Sequence, residues 1–118
     1  MRYEIEYYEK PSGRAPVLEF LLDLGRKNKK LTAQMLQDID HLKIVGKELT
    51  EPDCKHMGNG LYELRSRSGS NIARVFYFFF YGGKIVLTNG FVKKTQKTPP
   101  RELEKARRYK KDYEVNHD

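Results

Sequence analysis

The sequence predicts a small α+β domain in which an antiparallel sheet carries its helices on one face. Three observations predict this fold. A short alternating segment near the N-terminus is followed by two helical stripes of apolar residues. Three strand-like segments separated by turn residues come next, and a basic helical segment follows them. The predicted order is therefore β-α-α-β-β-β-α, and at 118 residues we expect residues 1–118 to form a single domain.

The N-terminal half supplies the first strand and two helices. Residues 3–9, YEIEYYE, alternate apolar or tyrosine side chains with glutamate, which is typical of a half-buried strand. A first helix follows the turn sequence PSGR, carries leucines at helical spacing and is predicted to stop at Gly25. A second helix is predicted from Lys30 to Val45, and Gly46 ends it. We expect both apolar stripes to face the core; they comprise Leu18, Leu21, Leu22 and Leu24, then Leu31, Met35, Ile39 and Leu42.

The C-terminal half supplies three strands and a helix. Residues 47–60, KELTEPDCKHMGNG, contain proline, two glycines and mixed charges, which predicts a connecting loop. Strands are predicted at about 61–68, 72–81 and 84–92, with a four-residue turn at 68–71 and Gly82-Gly83 as a two-residue hairpin loop.

A final helix is predicted over residues 101–114, RELEKARRYKKDYE. Thr98 is its predicted N-cap, the two prolines that follow lie in its first turn, and lysine and arginine crowd its far end.

Charge is distributed unevenly along the chain. The formal net charge is +7, and residues 93–111 alone contain nine basic and two acidic side chains. The whole excess therefore lies in one C-terminal stretch, which favours a nucleic acid or an acidic protein as the partner. A solvated helix that only keeps the protein soluble is the alternative.

Other classes of protein are disfavoured. The N-terminus lacks the apolar core of a signal peptide, and the most apolar run, Val75 to Tyr81, is too short to span a membrane. The single cysteine, Cys54, cannot pair within the chain and is expected to be a small loop residue in a reducing compartment. We therefore expect a cytoplasmic protein. No clustered metal-ligand motif is visible, so neither metal nor cofactor is expected.

The turns fix the register of the strands. They place Arg74 opposite Phe91 and Arg65 opposite Arg74, so that these three side chains form one row on a face we expect to be uncovered. Arg67, Ile72 and Lys93 form the next row; Glu63, Phe76 and Asn89 form the row on the other side.

Two arginines directly opposite each other require something negative between them. A carboxylate, either Glu63 or Glu51, is one candidate, and a phosphate is the other. Phe91 offers a ring on which a base could stack, which makes this face a candidate RNA site. In the alternative interpretation the arginines are ion-paired structural residues and Phe91 is core.

The run LYELRSRSGSNIARVFYFFFYGGKIVLTNGFVKKTQKTP, followed by a basic helix, resembles the HigB-like branch of the RelE superfamily of toxins. The resemblance extends along nearly the whole chain. It is most specific in Leu61–Arg65, in Arg74 and in residues 91–99, and it includes Glu51-Pro52 and Lys55-His56 ahead of the arginine strand. It implies the RelE-like, microbial-RNase type of topology.

The resemblance also implies a function. Such proteins are toxins of type II toxin–antitoxin pairs that cleave mRNA without a metal, usually on the translating ribosome. The RNA 2′-hydroxyl attacks the neighbouring phosphorus and leaves a cyclic phosphate, so the reaction needs a base, an acid and cations. By position in the resemblance, the catalytic residues would be Arg65, Arg74, Lys93 and Lys94, and the RNA-binding residues Lys55, Arg67, Phe91 and Lys97.

The chain departs from several relatives in having no histidine or tyrosine just after its last strand. Lys93 or Lys94, with a pKa lowered by cationic neighbours, is the candidate acid. Glu51 and Glu63 are the candidate bases, with His56 in reserve.

The resemblance further implies an antitoxin, a small helix-turn-helix protein through which alone the toxin would reach operator DNA. A non-catalytic RNA- or ribosome-binding module and a protein-interaction domain with an acidic partner are the alternative functions.

Overall fold

The computed structural model describes residues 2–93 and 97–117, so the predicted site residue Lys94 lies outside the described residues. Within them the α+β class is confirmed, as a five-stranded sheet with three α-helices. The elements are β1 (Glu4–Tyr7), α1 (Pro16–Lys27), α2 (Lys29–Val45), a 3-10 turn (Gly46–Glu48), β2 (Cys54–Gly58), β3 (Leu61–Ser68), β4 (Asn71–Phe80), β5 (Lys84–Lys93) and α3 (Pro100–Asn116). No helix among these is long and apolar enough to cross a membrane.

The sheet is mixed, not antiparallel as the sequence predicted. Its strand order is β1-β5-β4-β3-β2. Strands β2 to β5 are connected in sequence and pair antiparallel, whereas β1 lies parallel to β5. The difference arises because α1 and α2 separate β1 from the other strands. Strands joined by short turns pair antiparallel, whereas a long connection that contains helices allows two strands to pair parallel.

The helices lie on both faces of the sheet, so the predicted one-sided arrangement is wrong. Helices α1 and α2 pack on the face that carries Leu64, Val75 and Tyr77. Helix α3 packs on the other face, where Ala106 contacts the cluster containing Phe76. The physical reason is the run from Val75 to Phe78, which is buried at every position and therefore needs cover on both faces.

The predicted loop at 47–60 contains a strand. β2 pairs antiparallel with the first half of β3 and forms one edge of the sheet. Cys54, predicted as a loop residue, begins this strand and is buried in the core, where its Sγ donates to the Leu49 carbonyl at 3.3 Å. The strand escapes sequence prediction because an exposed edge strand lacks an apolar alternation: the residues after Cys54 are a lysine and a histidine.

Helix α1 passes through Gly25 and ends at Lys27, two residues later than predicted. Its buried residues are Val17, Leu21 and Leu24, whereas Leu18 and Leu22 are exposed, which corrects their assignment to the core. Helix α2 agrees with prediction, including its four buried residues and the positive φ of Gly46 at its end.

Replacing Gly25 by alanine should stabilise the protein. A Cβ at this helical position would meet only the Thr32 methyl group, at 4.0 Å. Alanine in a helix is favoured over glycine by about 0.5–1 kcal/mol, so the free energy of unfolding in urea should rise by about that amount. Gly46→Ala is the matched control: its Cβ would overlap the ring of Tyr3, so this variant should lose stability. A loss of stability in Gly25→Ala would contradict a helix continuing through this position.

Candidate functional site

The register around the two arginines is the one the sequence predicted, although the hairpin loop is not. Phe80 pairs with Lys84, so the loop contains three residues instead of two. A bulge between Val75 and Tyr77 then shifts the β4–β5 pairing by one residue. The two differences cancel, and Arg74 pairs with Phe91.

The other predicted pairs can be compared in the same way. Arg65 pairs with Arg74, Arg67 with Ile72, and Ile72 with Lys93, all as predicted. Glu63 pairs with Phe76 as predicted, but Asn89 falls within the bulge and does not complete that row.

Because paired residues share a face, Lys55, Glu63, Arg65, Arg74 and Lys93 all lie on the face that carries α3. We call these five residues the arginine cluster.

Glu63 is the carboxylate between the arginines. It is fully buried and forms an ion pair with Arg74, and its Oε1 lies 3.6 Å from Arg65 Nε. Its other oxygen, Oε2, accepts a hydrogen bond from the hydroxyl of Thr98 at 2.7 Å. The sequence predicted Thr98 as the N-cap of α3, but Pro99 occupies that position. Thr98 instead connects the start of the helix to the cluster.

The sequence predicted an open arginine face, but α3 covers part of this face. Arg74 is only 3% exposed, and the side chain of Arg65 is 15% exposed. Phe91 is partly buried and packs against the cluster of Leu61, Phe76 and Ala106, its ring centroid 5.8 Å from the ring of Phe76. For Arg74 and Phe91 the alternative interpretation, an ion-paired residue beside a core ring, therefore describes the contacts.

The cluster nevertheless retains an excess of positive charge and unsatisfied donors. Arg65 Nε and Arg74 Nε are buried and have no hydrogen-bond partner among the described residues. A buried donor without an acceptor is costly, and both Nε atoms are closed to solvent. The side chain of Arg65, which is 15% exposed, is the part of this pair that an anion could reach. Four cationic side chains surround the single carboxylate of Glu63.

Lys93 responds to this environment. Burial, followed by the positive charge of Arg74, lowers the pKa of its ammonium group, and Arg65 and Lys55 act in the same direction. Glu63 opposes the shift. The sequence argument that cationic neighbours would depress this lysine's pKa therefore agrees with the geometry, although burial is the larger cause.

The remaining candidates lie apart from this cluster or at its margin. Arg67 is exposed one row beyond Arg65, and Lys97 is exposed just before α3. His56 pairs with Tyr62, its ring 4.9 Å away, on the face that carries α1 and α2. His56, the reserve candidate for the base, therefore lies on the opposite face from the arginine cluster. Glu51 is exposed on the chain leading into β2.

The sequence missed the residues that connect the cluster to its surroundings. Thr98 was assigned to a helix cap, and the strand that presents Lys55 was assigned to a loop. Two cations of the basic stretch also serve the fold: Arg107 donates to the Met57 carbonyl at 2.9 Å, and Lys110 lies 5.4 Å from the ring of Phe78. Only the register of β2 could have revealed the position of Lys55.

One family of known proteins is similar to this chain. A family model described as "Phage derived protein Gp49-like (DUF891)" matches residues 20–111, a range that includes the whole arginine cluster and most of α3. No curated protein matches the chain.

Proposed function

Because the chain belongs to the Gp49-like family of phage-derived proteins, a toxin family of toxin–antitoxin pairs of the RelE and HigB type, we propose that it is a toxin that cleaves mRNA. The observation that carries the proposal is the arginine cluster, in which two guanidinium groups lie beside a lysine of lowered pKa, and their Nε donors have no partner in the part of the chain that the structure describes. That arrangement suits a phosphate at which negative charge develops during the reaction.

The proposed reaction is attack of an RNA 2′-hydroxyl on the adjacent phosphorus. A new P–O bond forms, the bond to the 5′-oxygen breaks, and the products carry a 2′,3′-cyclic phosphate and a 5′-hydroxyl. Arg65, the more exposed arginine, is proposed to contact the phosphate oxygens, and Arg74 to contribute its charge from beneath. Lys93 is the proposed acid that protonates the leaving 5′-oxygen, with Lys94 as its neighbour in this role.

The base is proposed from the remaining carboxylates. Glu63 is engaged by Arg74 and Thr98 and is better suited to hold the arginines in place than to accept a proton. Glu51 is exposed, and the chain after it runs beside the site, because the Arg65 amide donates to the Asp53 carbonyl at 2.9 Å. Glu51 is therefore the stronger candidate.

RNA outside the reacting phosphate is proposed to contact Lys55, Arg67, Lys97 and the edge of Phe91. The translating ribosome is the proposed setting, and a small helix-turn-helix antitoxin is the proposed partner that neutralises the protein and carries it to operator DNA. The toxin–antitoxin family supports an antitoxin partner, and the cationic cluster supports an anionic substrate.

Primer extension on transcripts from cells expressing the protein tests the proposal. New 5′ ends within translated mRNA should appear within minutes of induction.

A second candidate function is a non-catalytic RNA-binding module. The burial of Arg74 against Glu63 favours this module, because an ion pair that only supports the structure takes no part in a reaction. Growth arrest with intact transcripts would support that module and contradict the nuclease.

The cleavage rate should fall as the pH rises. This fall should occur at a lower pH than the one at which an ordinary lysine loses its proton. The acid must be protonated, and burial together with Arg74 lowers the pKa of Lys93, so its protonated fraction is lost earlier. Lys93→Arg keeps the charge but does not titrate in this range, so the alkaline fall should disappear along with most of the activity. Rates of cleavage of a defined transcript measured across pH would show this. An unchanged alkaline limb in Lys93→Arg would exclude Lys93 as the acid.

A further inference from the structure

A second surface lies at the opposite end of β4 from the arginine cluster. A cavity of about 640 Å³ is lined by residues of the 3-10 turn, the end of β4 and the end of α3: Lys47, Phe79, Phe80, Tyr81, Lys111, Glu114 and Val115. Phe80 lies six residues after Arg74, a distance of about 20 Å along a strand. The cavity is therefore distinct from the proposed RNA site.

The cavity exists because β3 is shorter than β4. The last pair between the two strands is Leu61 with Phe78, whereas β4 continues to Phe80. The chain turns away at Asn59 and Gly60, both of which have positive φ, so it does not extend β3 alongside Phe79. On its other side β4 remains paired with β5 up to Phe80. Phe79 and Phe80, the two residues of β4 beyond its last pair with β3, thus line the cavity.

The side chains around this edge are apolar and cationic. Tyr81 is 82% exposed and Val115 is also exposed, which is unusual for large apolar side chains in one cavity. Lys47 lies on one face of the sheet, 5.5 Å from the ring of Phe79, and Lys111 belongs to α3 on the other face. The carboxylate of Glu114, which also lines the cavity, lies 2.9 Å from the ammonium group of Lys110.

We propose that this cavity binds an extended, acidic and apolar peptide segment of another protein, which adds to the edge of β4 in the position a longer β3 would occupy. An open strand edge presents backbone donors and acceptors in the order another strand matches. The flanking lysines would select carboxylates on alternate faces of the segment, and Tyr81 and Val115 would contact its apolar residues. A peptide fits better than RNA, because a strand edge pairs with a polypeptide backbone and RNA has none.

The test uses the intact protein and a blocked tetrapeptide, acetyl-Glu-Val-Val-Glu-amide, whose two carboxylates point to opposite faces when it is extended. When the peptide is added, the backbone amide NMR resonances of four residues should shift: Phe79, Phe80, Tyr81 and Val115. N-methylation of the two valine amides, or Lys47→Glu combined with Lys111→Glu, should each weaken binding at least tenfold. Lys30→Glu, a charge reversal at the exposed start of α2, is the matched control and should have no effect.

Each other outcome would overturn the proposal. No shift at these residues, or binding that survives N-methylation, would exclude strand addition. Equal binding of acetyl-Lys-Val-Val-Lys-amide would exclude the role of the lysines. Stronger displacement by a uridine decanucleotide would assign the surface to RNA.

Discussion

Replacing Arg65 by alanine should abolish growth arrest and lower the rate of mRNA cleavage by about 10²–10³, the usual cost of removing one donor to a developing oxyanion. Arg65 is the better test than Arg74, because its side chain is 15% exposed whereas Arg74 is buried against Glu63. Truncation of Arg65 therefore removes the proposed phosphate contact and its own 3.6 Å ion pair with Glu63, and it leaves the Glu63–Arg74 ion pair intact. Cleavage of a defined transcript in a translation extract would measure the effect.

Two further variants make this prediction specific. Arg65→Lys keeps the charge but loses the planar pair of donors, so it should recover only part of the activity. Arg26→Ala removes an exposed arginine at the end of α1 and should retain full toxicity. Thermal unfolding should show that all three variants are folded. Full toxicity of a folded Arg65→Ala protein would exclude the proposed role.

Glu63→Gln should destabilise the protein by about 3–5 kcal/mol, the usual cost of removing one partner from a buried ion pair. The carboxylate is fully buried and is the one negative group of the arginine cluster. Without it Arg74 remains in the interior with its charge uncompensated, and the glutamine amide offers one acceptor oxygen in place of the two that Arg74 and Thr98 use. The free energy of unfolding in urea, measured with a constant m value, would show the loss.

The double variant Glu63→Leu with Arg74→Met separates charge from packing. Replacing both members of a buried pair by apolar side chains of similar size is often nearly neutral, so it should be more stable than Glu63→Gln. Glu19→Gln, which removes an exposed ion pair with Arg14, is the matched control and should change little. A Glu63→Gln variant as stable as the parent would mean that Glu63 does not compensate the arginines.

The sequence predicted the arginine pairing because turn residues and side-chain alternation determine register locally. The Arg65–Arg74 pair depends only on the turn after Ser68, which was identified correctly. The Arg74–Phe91 pair was correct only because a longer hairpin loop and a bulge offset each other. Neither feature has a local signal strong enough to predict it alone.

The placement of α3 was not predictable in the same way. Its sequence indicates a basic helix, but which face it covers depends on β4, whose residues from Val75 to Phe78 are all buried. A continuous apolar run of this kind indicates cover on both faces, and that signal was present in the sequence. Because α3 covers the arginine face, Arg74 is a buried charge and not the expected surface contact. The pairing of His56 with Tyr62 separately places His56 on the opposite face.

The chemistry of the RNA ends tests the central claim most directly. Transcripts cleaved by the wild-type protein should carry 2′,3′-cyclic phosphates and 5′-hydroxyls, and Arg65→Ala should produce neither at the same positions. Fragments with 5′-phosphates, or identical cleavage by the two proteins, would contradict the proposal that the arginine cluster stabilises a phosphate under attack by its own 2′-hydroxyl.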